Sequence, residues 1–553
     1  MMRSAVTSTP GSRWTSNRPR RLKWEWRAVS VRHFHFRLSN PPFWKQHSPM
    51  TPDAAKSLLR SLSLDDTRGL FNAGLDLLDA DLPELLIDTA AAAATRHPRD
   101  VRILQLLGLT SRAIGQSSVA LDAFARAAAL APADPLLAHS HARAALEAGH
   151  AATALFEKAV RLAPADGSVH QGRAAAQLAE GNAGRAIADL EALVGQNPLW
   201  IDGHRTLARL RGQEGEDPAA ALDRALARLP RQADLHREKI NIRLEARDLE
   251  GADIALRTAL ESIGAPVWLK ETAAHIASEL GDLAKADELF TELGAPQSVE
   301  LAAQRARHLV RANRPDAAES LIDHWAVRDP GRLLWPYRSL AWRMLDDPRW
   351  RWLDDQPSLV QSVDIAEAAG DIGQLANYLR DLHKSRAAPL DQSVRGGTQT
   401  DGNLLLRDAP AIARLREAIM AAVEAYIGQL PPADANHPAL PKAREPIRIA
   451  GSWSVRLVDE GFHADHVHPQ GWISSAFYVA VADTTAEGQA SREGWLSLGE
   501  ARDLVPGLAP LQMVQPKPGR LVLFPSTMWH GTRPFPAGER MTVAFDIMRP
   551  RQG

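Results

Sequence analysis

The chain of 553 residues contains no cysteine. Disulfides, thiolate metal sites and cysteine nucleophiles are therefore excluded, and any transition metal must be held by histidine and carboxylate, donors that suit iron, zinc, copper or manganese. No run approaches the roughly 18 apolar residues that cross a bilayer, so no membrane span is expected. A secretory core is missing as well: arginines interrupt every apolar run in residues 1–50. These absences favour a cytoplasmic location. The net charge of −1 carries no sign of a nucleic-acid partner.

What is present is ordinary in bulk, 45% hydrophobic and 24% charged, but too long for one core, so at least two domains are expected. Residues 1–50 hold ten Lys/Arg against the single acid Glu25, which leaves the remainder near about −10. This stretch reads as a disordered basic extension, or as sequence ahead of a start at Met50, and no function is assigned to it.

From about 66 to 330 the chain repeats itself. Prolines fall at 98, 132, 164, 198 and 230, spaced 34, 32, 34 and 32 residues apart. Ahead of them recur Ala120, Phe124, Ala127; Ala152, Phe156, Ala159; and Ala186, Leu190, Leu193. Turn residues keep step at Gly115, Gly149, Gly181 and Gly215, and then at Asp248, Gly281 and Asn313. Each unit reads as helix, turn, helix and proline stop. The small residues let paired helices approach, the large one fills the gap, and proline ends the second helix. No unit buries its apolar face alone, so neighbours stack into a solenoid. In period and in its Ala/large/Ala/Pro pattern this region resembles the tetratricopeptide repeat family, although the aromatic signature of the first helix is largely missing. The resemblance implies a solenoid over 51–330 that binds a protein or peptide partner.

Residues 331–388 form a Trp-rich helical connector. Trp325, Trp335, Trp342, Trp350 and Trp352 supply a third of the fifteen tryptophans, best read as core where the solenoid meets the next domain. PLDQSVRGGTQTDGN at 389–403 reads as a loop. Ile412, Leu415, Ile419, Val423 and Tyr426 recur at helical spacing, predicting a helix over 409–429, and the proline-rich stretch 431–446 cannot continue it. Beyond 447 the period becomes that of strands in IRIAGSWSVRLV, WISSAFYVAVA, GRLVLFP and RMTVAFDIM. The fold class expected is α+β multidomain, an N-terminal helical solenoid followed at 389–553 by a β-sandwich or barrel.

The chemistry concentrates in GFHADHVHPQGW and PSTMWHGTRPFPAGERMTVAFDI. His463, Asp465, His466 and His468 fall within six residues, and His530 follows a strand-like run. On a strand, i and i+2 share a face, so His-x-His or His-x-Asp offers two ligands to one metal, and His530 can add the third. Three ligands on one side leave room for an iron(II) that holds a bidentate acid and dioxygen. Two registers are open, His463/Asp465 and His466/His468, and they lie on opposite faces of a regular strand.

SVRGGTQT, HVHPQGWISSAFYV, PGRLVLFPSTMWHGT and ERMTVAFDI together resemble the 2-oxoglutarate/iron(II) oxygenase family that follows tetratricopeptide repeats in bacterial proteins, over roughly 390–550. The resemblance implies a double-stranded β-helix (jelly roll), Fe(II), 2-oxoglutarate and dioxygen as cofactor and co-substrates, and hydroxylation coupled to decarboxylation of 2-oxoglutarate. It maps the metal ligands onto His466, His468 and His530, with Asp465 and His463 as runners-up, and adds no catalytic residue beyond the ligands. It implies a carboxylate-binding role for Arg540, ten residues after His530, whose planar fork holds a carboxylate through two hydrogen bonds. Thr542 would add a hydroxyl from the same strand face and Tyr478 one from the opposite wall. The rival readings are a cupin-like metal enzyme that does not use 2-oxoglutarate, though 469–475 lacks the glutamate such a site adds, and a solenoid scaffold with an inactive barrel.

Overall fold

The computed structural model describes residues 50–482, 488 and 490–550; the basic extension over residues 1–49 lies outside them. Antiparallel helices follow one another from Pro52–Ser61 to Pro315–Ala326, and the sequence pattern shows why. Phe124 and Phe156 are 1% exposed. Each ring lies where a helix of the pair carries glycine: a Cβ on Gly108 would stand 2.8 Å from Phe124, and one on Gly172 2.2 Å from Phe156. Two residues after each of three repeat prolines, Asp100, Asp134 and Asp166 cap the next helix by accepting from its first backbone N–H groups. His170, His204 and His236 each place Nε2 2.7–3.0 Å from the carbonyl of the proline six residues before. This is a tetratricopeptide-type solenoid.

The turn inside each repeat takes a left-handed residue: Gly115, Gly149, Gly181, Gly215 and Gly281, with Asn313 in the last. In the repeat where Asp248 was expected to make the turn, Arg247 does so at φ 58°, and Asp248 instead caps the following helix. A non-glycine side chain in this region costs about 1 kcal/mol or more.

The row of turns faces the C-terminal domain. Asp81 and Glu84 receive Arg448. The Ala148 carbonyl accepts from the Asp408 N–H at 2.8 Å, and the Gln213 carbonyl from those of Arg386 and Ala387 at 2.9 Å. The Gln213 amide donates to Asp401 at 2.8 Å. Trp325, Tyr337 and Trp529 pack into the junction core, with the Trp529 indole donating to the Pro336 carbonyl at 2.9 Å.

Among the described residues the C-terminal domain has nine strands: β1 (Gln361–Asp364), β2 (Val394–Gln399), β3 (Ile449–His463), β4 (Gly471–Ala480), β5 (Leu496–Leu498), β6 (Gln512–Val514), β7 (Arg520–Pro525), β8 (His530–Thr532) and β9 (Glu539–Met548). They form an antiparallel six-stranded sheet, β1-β7-β4-β9-β3-β2, and a three-stranded sheet, β6-β5-β8, a double-stranded β-helix. Two features depart from the sequence reading. The connector is not helical throughout, because Gln361–Asp364 pairs with β7 and Leu359, Leu375 and Leu379 join the C-terminal core. Nor is 389–403 wholly a loop, because Val394–Gln399 pairs with β3 across a register shift at Gly396.

The helix expected over 409–429 spans Pro410–Gln429 and covers one face of the large sheet. Strict alternation then sorts β9. Met541, Val543, Phe545 and Ile547 are fully buried against that helical layer, whereas Arg540, Thr542, Ala544 and Asp546 point to the other face, between the two sheets. A slip of one residue would exchange core for site.

Candidate active site

His530 opens β8 on the small sheet, and His466 lies opposite it in an isolated antiparallel bridge, with reciprocal N–H to carbonyl bonds of 2.9 and 3.0 Å. His468 is tied two residues on, its N–H donating to the Ser526 carbonyl at 2.8 Å. This backbone stitching brings the ring centroids of His466 and His530 to 4.1 Å, with His468 5.0 and 5.1 Å from the two. One ring nitrogen from each lies within 4.8 Å of the others.

The proton positions follow from the partners. Nδ1 of His466 faces the Ala464 carbonyl at 2.8 Å, and Nδ1 of His530 faces the Met528 carbonyl at 3.0 Å. Nδ1 of His468 is 2.7 Å from Oδ2 of Asp546, whose Oδ1 accepts from the Ser474 hydroxyl at 2.6 Å. Carbonyls and carboxylates only accept, so all three rings carry hydrogen on Nδ1 and present Nε2 as the lone-pair nitrogen. A carboxylate behind a ligating histidine is the arrangement that fixes ring orientation at metal sites. Three imidazole nitrogens on one side fit a first-row divalent ion.

Asp465 and His463 stand outside this group. Both Asp465 oxygens are taken by Arg502, at 2.5 Å to Nη2 and 2.7 Å to Nε, and the Arg502 N–H adds a third bond. His463 stacks on His466 at 6.0 Å, and the Ser393 hydroxyl sits between them, 3.0 Å from His463 Nδ1.

Arg540 is 3% exposed, yet its Nε and Nη1 have no hydrogen-bond partner. The acids of its own strand are engaged elsewhere: Glu539 is bound by Arg380 and Arg456, and Asp546 pairs with His468. Its guanidinium lies 5.2 Å from the Tyr478 ring centroid, and the Tyr478 hydroxyl is likewise buried and unsatisfied. Thr542 is directly opposite Tyr478 in the β4/β9 ladder. Tyr478 therefore shares a wall with Thr542 and Arg540 and is not on the opposite one. A buried cation with open donors, next to two hydroxyls, is a carboxylate site by chemistry.

Residues 451–546 match the family model described as "Putative 2OG-Fe(II) oxygenase". The match spans the three clustered histidines and Arg540. The similarity to that family is thus confined to the C-terminal domain and includes the candidate site. No curated protein matches the chain. Among solved structures, a Pseudomonas putida prolyl-4-hydroxylase is 18% identical, covering 35% of this chain and 94% of that one at a TM-score of 0.24. A tetratricopeptide repeat protein of Parabacteroides merdae is 15% identical, covering 47% and 98% at 0.28. A thermophilic one of Thermus thermophilus is 19% identical, covering 32% and 98% at 0.24.

Burial first, and for His463 next the Arg540 cation, hold His463 and His530 at pKa values of about 3, so both rings are neutral near pH 7. Burial also pushes the Tyr478 phenol up, against the lowering effect of Arg540. Three residues that shape the site had been given no such role by the sequence reading. Asp546 shares its strand face with Arg540 and Thr542, so the period of two that placed those residues also reaches it. Arg502 and Ser393 come from loops, and no local pattern announces them.

Proposed function

We propose that the chain is an iron(II)- and 2-oxoglutarate-dependent hydroxylase whose repeat solenoid engages a protein or peptide. The observation that carries this reading is the pairing of the three Nδ1-protonated imidazoles with a buried guanidinium that lacks an anion. Iron and 2-oxoglutarate, when bound with dioxygen, supply the oxidising chemistry. The chain's residues hold and orient. His466, His468 and His530 would take the metal through Nε2, with Asp546 fixing the His468 ring. Arg540 would bind the far carboxylate, assisted by Thr542 and Tyr478.

Phe524, whose ring centroid is 4.8 Å from that of His530, gives the site an apolar wall, and a low-dielectric wall strengthens the electrostatics beside it. The cupin-like alternative loses ground because the cluster holds no carboxylate and because nothing in such a site calls for Arg540. The test is decarboxylation of 2-oxoglutarate to succinate by the full chain in air. Turnover that needs added iron and disappears in His530→Ala supports the proposal; turnover without iron, or none at all, contradicts it.

A further inference from the structure

The metal site opens on one side into a cavity of about 110 Å³, roomy enough for about one side chain, whose walls come from both domains. His466, Ser393 and Trp529 line it from the oxygenase domain; Arg247, His275 and Gln304 line it from the solenoid. Arg540 and Tyr478 are not among its lining residues. The co-substrate anchor thus does not line this cavity. Whatever is oxidised enters against a wall made of repeat helices.

Half of the charged side chains in that wall are ion-paired. Glu279 is bound by Arg307 and Arg311, and Asp465 by Arg502. Asp503 feels Arg247, but also Arg311, Arg395 and Arg502. Asp391, at the other rim, accepts from the amide of Gln392. Arg247, an exposed side chain at the cavity, has no ion pair or side-chain hydrogen bond among the described residues, and the charges that act on it are the cations Arg307 and Arg395 and the carboxylates Glu279 and Asp503. It is also the residue that takes the left-handed turn position filled by glycine in five other repeats. A strained conformation kept by an arginine at the mouth of a site, where glycine would be relaxed, points to a use for the side chain.

We infer that Arg247 is a specificity-determining residue of the oxygenase, binding an anionic group, a carboxylate in the first instance, on the substrate molecule that enters the interdomain cavity. The inference rests on the oxygenase reading for the meaning of the cavity, but the binding itself can be measured without turnover. A guanidinium fork accepts a carboxylate through two charge-assisted bonds and gains nothing comparable from an amide.

The experiment is calorimetric titration of the metal-free full chain with N-acetyl-aspartate amide and N-acetyl-asparagine amide, which have nearly the same shape and differ by one charge. N-acetyl-lysine amide serves as the cationic control. The acid is expected to bind at least about tenfold more tightly than the amide, a gap of about 1.4 kcal/mol. Saturating 2-oxoglutarate should leave that preference in place. Arg247→Gly should erase it while raising the thermal midpoint, because the turn strain is relieved. Equal binding of acid and amide, no binding of either, stronger binding of the lysine probe, displacement of the acid by 2-oxoglutarate, or an undiminished preference in Arg247→Gly would each overturn the assignment. The visible band of the unaltered chain with iron and 2-oxoglutarate is recorded alongside. Its absence with the acid preference intact would overturn the oxygenase reading and leave the Arg247 site standing.

Discussion

Replacing Arg540 by methionine should move stability and ligand affinity in opposite directions. The guanidinium is 3% exposed, and two of its nitrogens have no acceptor. In the ligand-free protein it is a desolvated charge without a counter-ion, a situation that costs several kcal/mol. Methionine has similar length and no charge. Its main loss is the cation–π contact with Tyr478, 5.2 Å away, worth about 0.5–2 kcal/mol. A net stabilisation of about 1–2 kcal/mol is expected, a rise of a few degrees in the unfolding midpoint of a domain this size. The 2-oxoglutarate complex loses a buried charge-assisted pair, about 3–5 kcal/mol, or roughly a hundred- to several-thousand-fold in Kd. Scanning calorimetry of the metal-free chain and titration with 2-oxoglutarate read the two effects separately. Destabilisation by more than about 2 kcal/mol with unchanged 2-oxoglutarate affinity would refute the reasoning and make Arg540 a structural residue.

Asp546→Asn, which removes the carboxylate behind His468, should weaken iron or zinc binding by roughly 10- to 100-fold in a chelator competition. On the acid side, burial keeps His437 near a pKa of about 4 and His530 near about 3, against about 6.5 when unfolded. The unfolded state therefore takes up protons first. The stability these groups contribute is complete above about pH 6.5 and falls by up to about 1.4 kcal/mol per pH unit for each as the pH drops towards 4. Denaturant midpoints of the metal-free chain between pH 7 and 5 check this, and a flat profile would contradict it. Arg448→Ala breaks the paired contacts to Asp81 and Glu84, which join the first repeats to the oxygenase domain. With those groups partly exposed, a loss of about 1–2 kcal/mol is expected, seen as faster hydrogen exchange in residues 67–96.

How far the sequence spoke depended on the range of the interaction. The solenoid was legible because its rule is local and repeated: Ala, a large residue, Ala and then Pro, with turn residues in step and Phe124 and Phe156 at matching offsets. The helix at 410–429 and strands β3, β4, β7 and β9 were legible because each buries one face at its own period. Gln361–Asp364 was not. Four residues between helices carry too little alternation, and only the free edge of β7 makes them a strand. SVRGGTQT looked like a loop because its glycines allow the register shift beside Gly461, where a Cβ on Gly396 would come within 3.0 Å of the opposing backbone. At the site, sequence spacing left two metal registers open, and what separates them is a long-range ion pair: Arg502, 37 residues away, occupies Asp465. Arg247 was not singled out because the cavity it lines is closed by residues of the other domain.

The most direct test of the central claim is an anaerobic titration of residues 50–553 with iron(II), with and without 2-oxoglutarate, recorded in the visible region. The account predicts a charge-transfer band that requires both additions, vanishes in His530→Ala and weakens in Arg540→Ala. Stoichiometric iron binding with no such band would contradict the 2-oxoglutarate site. Failure to bind iron at all would contradict the metal centre itself.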